Sequence, residues 1–121
     1  PEKMLAADDY AILKKLWNGF DERTIKEYME IFGSEGALTA VVNWYRALFS
    51  VNTGIEYHAV TTPTLFIWGN QDLAIGRAGV DKSHSYMQGD YEFKELNAGH
   101  WLTEFNEAEV SGLIIDQIKK H

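Results

Sequence analysis

Thr62-Pro63-Thr64-Leu65-Phe66-Ile67-Trp68-Gly69-Asn70-Gln71-Asp72 is the stretch on which the reading of this chain turns. Behind a proline, a short continuous apolar and β-rich run reads as a strand buried on both faces of a parallel sheet. The Gly69, Asn70 and Asp72 that follow are turn formers, as is Gly76. A segment of helical length but weak amphipathicity spans about Ala78 to Met87, and Tyr91-Glu92-Phe93-Lys94-Glu95-Leu96 then predicts a second strand with partial alternation. After a turn at Asn97-Ala98-Gly99, Asn106 and Glu109 form an Asn-type capping box. Val110, Leu113, Ile114 and Ile118 make the stripe of a closing helix whose C-terminal end suits Lys119 and Lys120. The order is β-α-β-α, which predicts a piece of a parallel α/β sheet.

Upstream the character is different. Tyr10, Leu13, Leu16, Trp17 and Phe20 recur at steps of three and four, predicting one amphipathic helix from Leu5 to Phe20 with Asp8 and Asp9 near its N-terminus. A second helix starts at Asp21, carries Ile25, Tyr28, Met29 and Phe32, and stops at Gly33 as a left-handed C-cap. Ser34 is placed to cap a third, with the stripe Leu38, Val41, Val42, Tyr45, Leu48 and Phe49, broken at Asn52-Thr53-Gly54. No repeat or low-complexity stretch occurs.

The 121 residues suffice for one small domain, and 45% hydrophobic with 24% charged residues is a globular composition. Eleven basic against 18 acidic residues leave a net charge of −7, which argues against a nucleic-acid surface or a polybasic membrane anchor. No apolar run has the length of a transmembrane helix, so no membrane partner is expected and the cytoplasm is the default compartment. With no cysteine, a disulfide scaffold, a thiolate nucleophile and Cys-ligated zinc are excluded. Two strands make a poor sheet, because parallel neighbours need both faces covered and further strands beside them. That requirement and the start at Pro1, without an initiator Met, give the expectation of a fragment of something larger.

In a right-handed β-α-β unit the loops after both strands leave at one edge of the sheet, where ligands of open α/β sheets bind. One loop offers Asp72 and the other His100, 28 positions apart. A carboxylate accepting from one imidazole nitrogen fixes the tautomer and stabilises the imidazolium, which leaves the other nitrogen as a general base. Alone, Asp72 reads more simply as a turn residue and His100 as a structural histidine; together at one edge they read as an acid–base pair. His58, His84 and His121 have no comparable context. The i, i+4 pair His100 and Glu104 lacks further ligands, so neither a metal nor a cofactor is expected. In Asn43-Trp44-Tyr45-Arg46, Tyr45 reads as packing beside Leu38, Val41 and Leu48, or as a hydroxyl donating to a substrate oxygen.

These residues carry a family resemblance along essentially the whole chain. The stretch Pro63 to Asp72 resembles the late core strand and catalytic-acid loop of α/β-hydrolases. Ala98-Gly99-His100-Trp101-Leu102 resembles their Gly-His-Trp motif, and the helix from Asn106 their last helix. The resemblance implies a C-terminal fragment of an α/β-hydrolase fold: residues 1–60 part of the helical lid, residues 61–121 a β-α-β-α piece of the parallel core sheet. Asn43-Trp44-Tyr45-Arg46 is similar to the lid motif of epoxide hydrolases. This implies Tyr45 as electrophilic acid, His100 as the base activating water, Asp72 as its orienting partner, and Trp44 and Trp101 as substrate-contacting residues. A small organic substrate is implied.

The sequence departs from the family: no Gly-x-Ser-x-Gly elbow, or Asp-nucleophile equivalent, no oxyanion-hole loop and no second lid tyrosine of the epoxide hydrolases can be matched to it. The expected partner is therefore an N-terminal part of the same hydrolase carrying the nucleophile, and the chain alone is expected to be inactive. An Asp there implies epoxide hydrolase chemistry; a Ser implies an esterase, lactonase or carbon–carbon bond hydrolase. The same fold also serves non-catalytic ligand binding, and that reading stays open.

Overall fold

A computed structural model describes residues 1–50, 54 and 58–121, without the Phe49 side chain. The chain divides into two compact units, Pro1–Ile55 and Glu56–His121.

The first unit is helical: α1 (Glu2–Leu5), α2 (Ala7–Leu16), α3 (Glu22–Phe32) and α4 (Ala37–Ser50). The helix predicted from Leu5 to Phe20 is thus two elements, and α2 is itself irregular, with Asp8, Asp9 and Tyr10 at φ of 50°, 53° and 59°. Aspartate tolerates this left-handed region through local hydrogen bonding, which periodicity does not register. The helix also ends earlier, at Leu16, and residues 17–20 form a turn closed by Phe20 N–H on the Trp17 carbonyl at 3.1 Å. Asp21 caps α3 as its chemistry predicts: its carboxylate accepts from Thr24 N–H at 3.0 Å and from the Thr24 hydroxyl at 2.8 Å. Trp17 packs against Tyr28 and Phe32, with ring centroids 5.0 and 5.2 Å apart, and is buried with Leu13 and Val42.

α3 stops before Gly33 as predicted, and two capping expectations are corrected. Gly33 is right-handed at φ −78°, and the left-handed position is Gly36 at φ 80°. The Ser34 hydroxyl does not cap α4, because it donates back to the Ile31 carbonyl at 2.6 Å. Along α4 the predicted stripe is mostly open: Val42 is buried, whereas Val41, Tyr45 and Leu48 are exposed. Asn52 and Thr53 lie outside the described residues.

The second unit runs β1 (Thr64–Gly69), α5 (Arg77–Ser83), a 3-10 turn (His84–Tyr86), β2 (Tyr91–Leu96), α6 (Leu102–Phe105) and α7 (Glu107–Lys120). The strands pair in parallel from Thr64↔Tyr91 to Gly69↔Leu96. Alternation splits them into two faces. On one, Ile67 and Leu96 pack with Ala98, Leu102, Val110 and Leu113. On the other, Phe66 meets Phe93 edge-on at 5.8 Å and His84 lies 5.3 Å from Tyr91.

Helices thus attend both faces, but burial of β1 is complete only at Trp68 and Gly69; Leu65 to Ile67 are half-buried rather than enclosed. The physical reason is that the sheet has two strands among the described residues. The helix predicted to Met87 stops at Ser83, where the Ser83 and Ser85 hydroxyls take the Val80 and Lys82 carbonyls at 2.7 Å each. Asn106 forms no side-chain cap, since its backbone closes α6 through its N–H on Leu102 at 2.9 Å. In α7, Val110 is buried and Leu113 partly so, while Ile114 and Ile118 face out, because the surface this helix covers is narrow. Among the described residues no helix is long and apolar enough to cross a membrane.

Candidate active site

Parallel pairing sends both strands out at one edge, and the pairing does not stop where the strands do. Asn70 N–H bonds the Leu96 carbonyl and Gln71 N–H the Ala98 carbonyl, each at 2.9 Å. Side chains follow the same register, Asn70 to Glu95 at 3.3 Å and Gln71 to Asn97 at 2.9 Å. Gly69 makes this approach possible: a Cβ there would meet the carbonyl oxygens of Ala98 and Gly99 at 2.4 Å each.

The Asp72 N–H closes a turn on the Gly69 carbonyl at 3.1 Å, and its carboxylate then organises the loop. Oδ1 accepts from the N–H groups of Ala74 and Ile75 at 2.7 and 3.0 Å. The same carboxylate lies 3.1 and 3.0 Å from His100 Nδ1 through its two oxygens. Asp72 is therefore the turn former and the histidine's partner at once. Its side chain is 8% exposed against 46% for His100. Burial pushes the Asp72 carboxyl up, but the bonds from His100 and from the Ile75 and Ala74 amides outweigh it, and the group lies below its ordinary value.

An ionised carboxylate only accepts, so Nδ1 carries the proton toward it and neutral His100 presents a lone pair on Nε2. Among the described residues Nε2 makes no hydrogen bond. The ring stands edge-on to Trp101, centroids 5.1 Å apart at 79°. A buried, charged acceptor behind a half-exposed imidazole can orient it, support its positive charge and leave it free to take a proton from outside.

The other candidates separate clearly. Glu104 does not join His100 but accepts from Thr103 at 2.6 Å. His84 packs on Tyr91, His121 faces Asp90 at 3.4 Å, and His58 lines an open hollow with Val60, Gly79, Lys82, Ser83 and Tyr86. No group of three or more His, Asp or Glu side chains is gathered for a metal among the described residues. Within the helical unit, Trp44 and Tyr45 are 72% and 65% exposed and form an apolar surface on α4 with Val41 and Leu48. The adjoining Arg46 is fixed by a fork on Glu2 at 2.7 and 3.0 Å and by Asn43 at 2.9 Å. That fork holds Glu2 well below the carboxylate range, at about 2.

Sequence reasoning missed the support around the acid loop. Trp68 donates its indole N–H to the Ile75 carbonyl at 2.9 Å, and Arg77 stacks on the Trp68 ring at 5.4 Å while pairing with Glu95. The available signal was strand parity, which puts Trp68 and its partner Glu95 on one face.

No protein-family model matches the chain. Curated relatives do. Epoxide hydrolase 4 of Mus musculus is 29% identical over 126 residues, covering 94% of this chain and 35% of its own length. Epoxide hydrolase 3 of Xenopus tropicalis is 30% identical over 132 residues, with 99% and 36% covered. The AB hydrolase superfamily protein YfhM of Bacillus subtilis is 29% identical over 125 residues, with 98% and 44% covered. The chain spans between about a third and under half of the length of these three relatives. Along nearly its whole length, then, the chain is similar to part of epoxide hydrolases and of an AB hydrolase superfamily protein.

Proposed function

We propose that this chain supplies the acid–base pair of an epoxide-hydrolase-like α/β-hydrolase, with residues 1–60 as part of its lid and residues 61–121 as the C-terminal part of its core. The observation that supports it is the Asp72 carboxylate on His100 Nδ1 at 3.0 Å, with Nε2 left without a partner among the described residues. The nucleophile belongs to another segment of the same hydrolase, because the sequence has no elbow of its own.

In this reading a carboxylate nucleophile attacks an epoxide carbon and the C–O bond breaks. The Tyr45 hydroxyl gives its proton to the departing oxygen, and an ester to the protein results. His100 Nε2 then takes a proton from water as the water attacks the ester carbonyl, and Asp72 stabilises the imidazolium. The imidazolium gives that proton to the departing alkoxide, so that a diol leaves and the proton of the released carboxylic acid restores Tyr45. Trp44 and Trp101 contact the apolar body of the substrate. The names of the relatives favour epoxides.

The broader name of the Bacillus subtilis relative supports keeping a second reading, a Ser-nucleophile esterase, lactonase or carbon–carbon hydrolase. Turnover by the hydrolase carrying residues 1–121 separates them. Diol formation from an epoxide that falls by about 10⁴-fold in His100→Ala, where the ester then accumulates, and sharply in Tyr45→Phe, supports the first reading. Ester cleavage indifferent to Tyr45→Phe supports the second. Tight binding without turnover makes the protein a ligand-binding member of the fold, and full activity after His100→Ala overturns both enzymatic readings.

A further inference from the structure

Asp72 does not hold its position unaided. Ile75 is gripped from two sides: its N–H donates to Asp72 Oδ1 at 3.0 Å and its carbonyl accepts the Trp68 indole N–H at 2.9 Å. The indole belongs to a buried ring at the end of β1. Over that ring, 5.4 Å from its centre, lies the guanidinium of Arg77, the first residue of α5. Arg77 pairs in turn with Glu95, which is the register partner of Trp68 on β2 and also accepts from Asn70 at 3.3 Å. The loop from Gly69 to Arg77 is thus bolted at its middle by Trp68 and at its far end by Arg77, both to the strands that carry the two candidate catalytic loops.

We infer that Trp68 and Arg77 are positioning residues for the proposed reaction, closing the acid loop so that the Asp72 carboxylate is presented to His100. The assignment rests on reading Asp72 and His100 as orienting acid and base. Neither Trp68 nor Arg77 touches substrate in it; they act through the Ile75 peptide and the start of α5. Without the indole bond the Ile75 carbonyl is free to turn, and the N–H on the other side of the Ile75 Cα loses its aim at Oδ1. Without the guanidinium, the end of the loop loses its tie to β2.

The test follows two quantities by NMR on the hydrolase carrying residues 1–121: the titration of the Asp72 carboxyl carbon, and hydrogen exchange at Ala74 and Ile75 compared with Phe66 in β1. Trp68→Phe removes the N–H and keeps an aromatic body. Arg77→Met keeps an apolar stem over the ring at a position whose side chain is 53% exposed, and so reports even if a phenylalanine at 68 does not fold. Asp72 lies below its ordinary value through the bonds it accepts, so the expected result is an upward shift of its midpoint toward that ordinary value. Exchange at Ala74 and Ile75 rises about tenfold against Phe66, more in Trp68→Phe than in Arg77→Met. A lower melting temperature with the Asp72 midpoint and the two amides unmoved relative to Phe66 overturns the inference. Failure of the hydrolase reading is distinguishable: it shows as absent turnover in the unmodified hydrolase carrying residues 1–121, while the loop measurements stand.

Discussion

The helical unit joins its parts through ring-to-ring packing at 5.0 to 5.9 Å, one side-chain cap and one arginine fork. In the β-α-β-α unit the edge that carries Asp72 and His100 depends instead on backbone groups that leave no room for a methyl, and on one carboxylate accepting from two amides and an imidazole. Packing of rings and stripes tolerates shifts of several tenths of an ångström, whereas backbone contact and hydrogen-bond geometry do not. The first kind of construction suits a surface that accommodates different shapes. The second suits a pair of groups that must meet at a fixed distance, and the substitutions below probe that contrast.

The widest gap is expected between two glycines. Gly69→Ala forces a Cβ into the Ala98 and Gly99 carbonyls and should destabilise the fold by roughly 4 kcal/mol in chemical denaturation. Gly36→Ala meets nothing within 4 Å and bears only its φ of 80°, a cost of about 1–2 kcal/mol. Equal effects would erase the distinction drawn between the units.

Acidification gives the next contrast. The folded carboxyl of Asp72 lies below the unfolded value of about 3.9, so its stabilisation is whole above that value and is lost as pH falls through the folded one. Glu2, Asp21, Glu92 and Glu95 share this sign. The diagnostic quantity is therefore the difference between the unmodified chain and Asp72→Asn, which should narrow between pH 5 and 2 (roughly the window of a carboxylate shifted downward). A difference independent of pH would mean that the Asp72 charge contributes nothing to folding.

Smaller effects belong to the helical unit. Asp21→Ala should remove about 1 kcal/mol by stripping the cap from α3, and circular dichroism melting reads it. Tyr45→Phe should change stability by less than about 0.5 kcal/mol, because the side chain is 65% exposed. A large loss there would show that Tyr45 is a packing residue of its unit.

Both strands, the helix start at Asp21 and the two loops bearing Asp72 and His100 were legible in the sequence because each is written locally: an apolar run, the onset of an amphipathic period, a turn cluster behind a strand. The boundaries at Gly33 and Asn106 were legible too, but their capping was not, because each residue type supports several endings and neighbouring hydroxyls and carbonyls decide among them. The left-handed residues Asp8 to Tyr10 sit within a good amphipathic period and leave no mark on it. Around Asp72 the limit is of another kind. The bonds from Trp68 to Ile75 and from Arg77 to Glu95 need the register of two strands, and register emerges only once the chain has folded.

The continuation of pairing past the strand ends, through Asn70 to Leu96 and Gln71 to Ala98, bears on how this edge can be remodelled. The two loops form one structural part with a shared seam. A residue inserted into either between the strand end and the functional side chain slips the seam by one position and turns Asp72 or His100 away from its mate. Transplanting the acid loop alone onto another scaffold should therefore fail where transplanting both loops together succeeds.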